Sequence, residues 1–346
     1  MVGDIAHGHL ACDNLSADDA RALIRHDLAY AVCGAVESSG RQLPDDANEL
    51  LRHAAHAQAL RSISVAATAT RTSQVLADAD VRSIVYKGPA LAVQTTGSWL
   101  GRGSADVDVL IDVRDCGGTD RALRAAGCLS RVGYPGPPSR WERYHRPERA
   151  YSGLPVTVDL HWRVDAGPGY FSAPFAAVWL RGVRVEHDGL DVTTFDPVDA
   201  LLATAAHGAK ERWWRWFWAL DAVRQVEQLA PGSWPVVASR AAQSGTVRAL
   251  DLCLAVAAES GARMPARIGP SPEMARVARS WLELSSGATS VEWSKTAALA
   301  RRKARWIIAD SPLTAVDGFA RAAARLVADR RAPGAPQHRQ GTASDG

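Results

Sequence analysis

The 346-residue chain has no apolar run approaching the ~20 residues a membrane-crossing helix needs, so no membrane span is expected. Cysteine is sparse. Cys12, Cys33, Cys116, Cys128 and Cys253 are scattered, odd in number and without a C-x-x-C pair. That argues against a disulfide framework or a zinc site and fits a reducing cytosol. The first residues carry Asp4, His7 and Asp13 instead of a basic start and an apolar run, so no signal peptide is expected and the chain reads as cytoplasmic. Net charge is low, at +3, too small to argue for a nucleic-acid or membrane surface. No basic, aromatic-interleaved tract marks a DNA or RNA enzyme. Lysine is nearly missing, at 4 residues against 36 Arg. With abundant alanine this has the look of a GC-rich codon bias, so a single Arg carries little information and each Lys carries more. No internal repeat is present.

What remains is ordinary globular composition, 47% apolar and 22% charged, in a chain long enough for a large core and two or three subdomains. One stretch stands out, Ser104-Ala105-Asp106-Val107-Asp108-Val109-Leu110-Ile111. Its alternation predicts a strand with Val107, Val109 and Ile111 on one face and Asp106 and Asp108 side by side on the other. Asp is a poor strand residue and like charges on one face repel. Either the acidic face is solvated on an edge strand or a divalent cation compensates it.

Along the chain, residues 1–80 read as a helical region. An amphipathic helix is expected over Asp18 to Val36, ended by Ser38-Ser39-Gly40. A long helix is expected over 46–77, its apolar face made of Leu50, Leu51, Ala54, Ala57, Leu60, Ile63 and Ala67. His53 and His56, three apart, read as surface residues in preference to a metal pair. Residues 81–195 read as the catalytic core. Residues 81–87 form a short strand, Gly88-Pro89 opens a helix, and the acidic strand follows. A turn-rich link spans Asp112 to Thr119, a helix runs from Asp120 to Ala126, and a Pro/Gly loop covers 133–140. Residues 155–162 alternate again, with Thr157, Asp159 and His161 on one face. A loop with Gly167-Pro168-Gly169 follows. Asp188-Gly189 predicts a hairpin between residues 183–187 and 190–194. Residues 196–330 form a helical domain opened by Asp196 as N-cap and Pro197, with helices over 197–208, 212–229, 233–244, 247–260, 272–283, 291–309 and 313–330. Residues 331–346 read as a disordered tail.

Asp106, Asp108 and Asp159 converge if their strands are neighbours. Before them stands a strand, Lys87-Gly88 and a helix N-terminus, an arrangement that suits a phosphate. Three carboxylates beside a phosphate cradle suit metal-assisted phosphoryl or nucleotidyl transfer.

The order of these elements resembles the DNA polymerase β-like nucleotidyltransferase superfamily. Lys87-Gly88-Pro89-Ala90-Leu91-Ala92 is similar to the K-G-x-A-L-A segment of a bacterial nucleotidyltransferase family. Arg102 with Ser104 to Leu110 is similar to its R-x-x-S-D-I-D-L-L, with one residue inserted between Ser104 and Asp106. Val156 to Trp162 is similar to its V-E-L-H-W, with Asp159 for the usual Glu. His207, Trp214 and Asp221 fall at its later landmarks. The resemblance spans roughly 80–230. It implies an α+β fold, a small mixed-sheet polymerase β-like palm flanked by an N-terminal helical segment and a C-terminal helical bundle. It also implies an enzyme that moves an NMP group from an NTP, with ATP the expected co-substrate, to a hydroxyl of a small molecule, peptide or protein, releasing pyrophosphate. Asp106, Asp108 and Asp159 would be the catalytic and metal-binding residues, holding two Mg²⁺. Asp159 would also help to deprotonate the acceptor. Lys87, Gly88, Arg102, Ser104, His161, His207 and Lys210 would bind the nucleotide. Arg102 is equally readable as a structural salt bridge. His161 either meets substrate or hydrogen-bonds Asp159. Trp213, Trp214, Trp216, Phe217 and Trp218 are too many for one helix face and read mainly as packing between domains. Asp221 reads as orienting an Arg or His. The run Arg301-Arg302-Lys303-Ala304-Arg305 reads as a solvated helix face. The alternative is a non-catalytic nucleotide-binding scaffold of the same fold.

Overall fold

The computed structural model describes residues 1–8, 15–131, 137–164, 171–287 and 307–331. Cys12, the first half of the 133–140 loop, the Gly167-Pro168-Gly169 loop, most of the helix expected over 291–309 with its basic run, and residues 332–346 lie outside the described residues.

In chain order the elements begin with four helices, α1 (Val2–Ala6), α2 (Ala17–Arg25), α3 (Ala29–Ser39) and α4 (Asp45–Ala77). The middle of the chain holds β1 (Ser83–Val85), α5 (Gly88–Thr96), β2 (Asp106–Ile111), α6 (Cys116–Ala125), β3 (Leu129–Ser130), α7 (Arg140–His145), β4 (Glu148–Ser152), β5 (Thr157–His161), α8 (Phe175–Arg181), β6 (Val183–His187) and β7 (Leu190–Thr194). Helices follow: α9 (Pro197–Lys210), α10 (Trp216–Gln228), α11 (Trp234–Ser244), α12 (Val247–Glu259), α13 (Pro272–Gly287) and α14 (Pro312–Arg331). The fold is α+β, a five-stranded mixed sheet with helices on both sides.

Local chemistry sets many of the boundaries. Ser16 and Asp19 close a reciprocal capping box at the start of α2. The run expected from Asp18 to Val36 is two helices, because Asp27 takes a left-handed backbone (φ 56°) and turns the chain. Asp196 caps α9 by accepting the Asp199 N–H at 2.7 Å. The link expected over Asp112 to Thr119 is shorter than foreseen: Asp112 caps a single 3-10 turn and α6 begins at Cys116.

The sheet order is β1-β2-β5-β4-β3. β1 runs antiparallel to β2, β5 parallel to it, and β4 and β3 continue antiparallel. One face carries Val107, Val109, Ile111, Val158 and Leu160, all buried in one cluster with residues of α4 and α6. Burying each such side chain is worth roughly 1.5–3 kcal/mol, enough to fix the register. The opposite face turns towards the C-terminal helices, where Leu110 joins a cluster built largely by α9, α10 and α12. The hairpin β6–β7 forms across Asp188-Gly189 as expected and docks on α4, where the Thr70 hydroxyl donates to the Gly189 carbonyl at 3.1 Å.

α4 corrects one reading in detail. Leu60 and Ile63 are about half exposed, and Ala57 and Ala67 lie on the surface too. Gln58, Ser62, Thr68 and Thr72 are buried instead. Gln58 explains part of this. Its amide donates to the Asp27 carbonyl and accepts from the Tyr30 N–H, each at 3.3 Å, satisfying the backbone where α2 gives way to α3.

Candidate functional site

Because β1 is antiparallel to β2, with Val85 opposite Val109, the chain leaving β1 runs back towards the start of β2. Because β5 is parallel to β2, Asp159 falls directly opposite Asp108, and Thr157 opposite Asp106. Asp106, Asp108 and Asp159 therefore share one face of neighbouring strands, with Asp108 and Asp159 about 4.8 Å apart across the sheet and Asp106 two residues along β2 from Asp108. Two carboxylates near 5 Å repel by roughly 3 kcal/mol at an effective dielectric of about 20. The site must supply positive charge.

Part of it comes from the chain. The Lys87 ammonium donates to Oδ1 of Asp108 at 3.0 Å, and His161 Nε2 donates to the same oxygen at 2.9 Å. Sequence reasoning left His161 free to bond Asp159; the structure gives it to Asp108. Its other nitrogen faces the Glu148 carboxylate at 3.4 Å. Glu148, paired with His161 across β4 and β5, is an acid the sequence reading missed. Arg146-Pro147-Glu148-Arg149 looks like surface charge, and only the weak Glu148/Ala150 alternation marks it as facing Asp159.

The electrostatics divide the carboxylates. Burial works against charge on Asp108, but Lys87 and His161 outweigh it and hold its pKa well below the usual range. Asp106 is pushed up to about 6 by burial and by the Asp108 charge, with Lys87, His161 and Arg102 opposing. Burial pushes Asp159 up to about 7, against His161 and with Asp106, Asp108 and Glu148 adding repulsion. Burial would lower His161, yet its hydrogen bond to Asp108 and the charge of Glu148 raise it.

Gly88 opens α5 with φ +54°, and a Cβ there would stand 3.1 Å from the Ser104 hydroxyl. Ser104 in turn donates to the Asp106 carbonyl at 3.0 Å. The inserted residue between Ser104 and Asp106 thus sits in the loop before β2, and the β2–β5 register is unbroken. Arg102 is buried, donates to Asp221 on α10 at 2.7 Å and lies over the Phe217 ring at 4.8 Å. A small cavity lies beside the carboxylates. Tyr86, Lys87 and Arg102 line it from one side, and His207, Trp218 and Asp221 from the other. His207 meets the edge of Trp218, and burial with the Lys87 and Lys210 ammoniums pushes its pKa well below the ordinary value. Burial pushes the Glu148 carboxyl up, but His161, followed by Lys210, outweighs it and holds the carboxyl below its usual range.

The aromatic stretch is not one helix. Arg212 and Trp213 take left-handed backbone (φ 58° and 53°), and α10 starts only at Trp216. Trp213 is thereby folded back, fully buried, onto Gly208.

Among the described residues, no three His, Cys, Asp or Glu side chains are gathered tightly enough to enclose a metal ion unaided. Asp106 and Asp159 make no side-chain hydrogen bond or ion pair with another described residue, while Asp108 has two partners. A pair of half-buried, oxygen-only donors is the chemistry that suits a hard divalent cation such as Mg²⁺.

A family model described as an uncharacterised nucleotidyltransferase matches residues 18–260. The chain belongs to this nucleotidyltransferase family. The match is wider than the motif-bearing 80–230 stretch, so the family unit includes α2–α4 before the sheet and α9–α12 after it. In this family member α13 and α14 lie beyond the matched residues. Searches of curated proteins and of solved structures return no match. Membership places the chain among proteins of nucleotidyl transfer, with an NTP as the implied substrate. No described helix is long and apolar enough to cross a membrane.

Proposed function

We propose that the carboxylate face is the centre of an NMP transfer from an NTP, ATP being the first to test, to a hydroxyl of a small molecule, peptide or protein. The observation that carries this is the register that sets Asp108 against Asp159, with Asp106 alongside and Gly88 at the head of α5 next to them. In this reading the polymerase β-like core is residues 81–195, and 1–80 and 196–330 support it. The carboxylate triad of Asp106, Asp108 and Asp159 is where divalent metal would be held, Mg²⁺ by its chemistry. A bound cation supplies charge neutralisation to the triphosphate.

The chain's own groups do the rest. Gly88 leaves room for phosphate oxygens, and the N–H groups of the first turn of α5 point towards them. Lys87 and Lys210 add positive charge. Ser104 fixes the approach of Asp106. His207 and Trp218, set edge to face, offer an aromatic corner to the nucleoside. The acceptor oxygen forms its bond to the α-phosphorus. The bond from that phosphorus to the bridging oxygen breaks, and pyrophosphate leaves with the electron pair. Asp159 takes up the acceptor's proton. Positioning and fixed charge supply most of the acceleration.

The test is incubation with each NTP, Mg²⁺ and a cell extract, reading pyrophosphate release and nucleotide transfer by mass spectrometry. Asp106→Asn and Asp159→Asn should lose transfer by at least about 100-fold, the scale of removing a charge-stabilising group. A parent chain that binds no NTP would sink the proposal. The second reading, a non-catalytic nucleotide-binding scaffold, is favoured by the engagement of Asp108 with Lys87 and His161. Binding of NTP without turnover in any extract would select it.

A further inference from the structure

The three carboxylates are not equivalent in their partners. Oδ1 of Asp108 receives the Lys87 ammonium at 3.0 Å and His161 Nε2 at 2.9 Å, and the Lys87 and Asp108 side chains are only 16% and 10% exposed. Lys87 is held there by its neighbours. It is the N-cap residue of α5, its extended backbone feeds into the positive-φ Gly88, and its ammonium lies 5.0 Å from the centre of the Tyr86 ring. Tyr86 is in turn pinned by edge contact with His161 and by Phe195. By contrast, Asp106 and Asp159 face the same space with no side-chain hydrogen bond or ion pair among the described residues. With Glu148 set against His161 beside them, the three carboxylates and one resident ammonium leave two negative charges, which a single divalent ion balances.

We propose that the Lys87 ammonium, seated on Asp108, replaces one of the two metal ions of a carboxylate-triad centre, so that the site takes a single divalent cation, on Asp106 and Asp159. The inference rests on the nucleotidyl-transfer reading. An ammonium is a compact point charge with three donors. With one donor spent on Asp108, the others remain for phosphate oxygens. Lys87 then carries charge that a metal ion would otherwise bring, and Asp108 acts as the positioning residue that aims it. His161, wedged between Asp108 and Glu148, fixes the carboxylate from behind. One of only four lysines in an arginine-rich chain stands here, and the flat, forked guanidinium of Arg would be a poor substitute for a spherical ion between two strands.

The experiment is equilibrium dialysis of the full chain with Mn²⁺ and the α,β-methylene analogues of the four NTPs, counting bound metal against bound nucleotide. The expected ratio is one Mn²⁺ per nucleotide in the parent chain and two in Lys87→Met, where Asp108 is released to a second ion. A ratio of two in the parent overturns the proposal and leaves the nucleotidyl-transfer reading standing. So does a ratio that stays at one in a folded Lys87→Met. Failure of the parent to bind any of the four analogues overturns both. Should Lys87→Met not fold, as judged by circular dichroism, the parent ratio decides alone.

Discussion

At the scale of single residues, two positions do work that a substitution would expose. Gly88 holds a left-handed backbone between a strand and a helix, with Ser104 packed where a Cβ would go. Gly88→Ala should cost about 1–2 kcal/mol from backbone strain. It should also push Ser104 off the Asp106 carbonyl, weakening nucleotide binding. Thermal denaturation and a fluorescent nucleotide titration read the two effects separately. His26 is buried and stacked on Trp216 with ring centres 4.3 Å apart. Burial first, then the charges of Arg215 and Arg25, bring its pKa from 6.5 down to about 4. Between those values the unfolded chain binds the proton more readily than the folded one. The contribution is fully present above pH 6.5 and is lost as pH falls towards 4, by up to about 3 kcal/mol. His26→Phe keeps the stack and removes the titration. Urea midpoints measured from pH 7 to pH 4.5 should fall less in the variant than in the parent.

At the scale of elements, the join between α9 and α10 is the most tightly determined. Gly208 on α9 lies against the buried Trp213 ring, and a Cβ there would come within 2.5–2.7 Å of three ring atoms. Two successive left-handed residues bring the ring to that spot. Gly208→Ala should destabilise by about 1–3 kcal/mol through overpacking, and Trp213→Leu in the same chain should recover part of it. A double-mutant cycle in urea measures that coupling. Since His207 precedes Gly208 and Trp218 follows on α10, a shift at this join would move one wall of the cavity beside the carboxylates.

At the scale of the whole molecule, three clusters are tied together by long elements. α4, about 50 Å long at 1.5 Å per residue, contributes its first half to the N-terminal helical cluster and its second half to the sheet cluster. α10 reaches the N-terminal cluster through Leu220, Trp216 and Phe217. α14, beyond the family match, lies on α7, where Arg321 donates to the Tyr144 carbonyl at 2.6 Å and covers its ring at 4.4 Å. One helical turn on, Arg325 is close enough to Glu148 to help lower the pKa of that carboxyl against the opposing effect of burial, after His161 and Lys210. Arg321→Ala should therefore loosen α14 from α7. Hydrogen exchange should speed up by about tenfold across 312–331, the equivalent of losing roughly 1.4 kcal/mol of local closure, with α4 and α9 unchanged.

What depends on neighbours a few residues away was legible in the sequence alone. Alternation put Asp106 with Asp108 and Asp159 with His161. Asp188-Gly189 marked the hairpin, and Asp196 the start of α9. Pairings between strands and helices distant in sequence were decided only by tertiary structure. The strand order placed Asp159 opposite Asp108 and brought in Glu148, which no local pattern announces. The antiparallel run of β1 carried Lys87 onto Asp108, where the sequence suggested only a phosphate contact. The buried face of α4 was misread because periodicity counts apolar side chains. The packed helix instead spends Gln58 on the Asp27 and Tyr30 backbone and leaves Leu60 and Ile63 in water. The acidic pattern is local chemistry, while its partners are set by which strands lie side by side, and that is a property of the folded core.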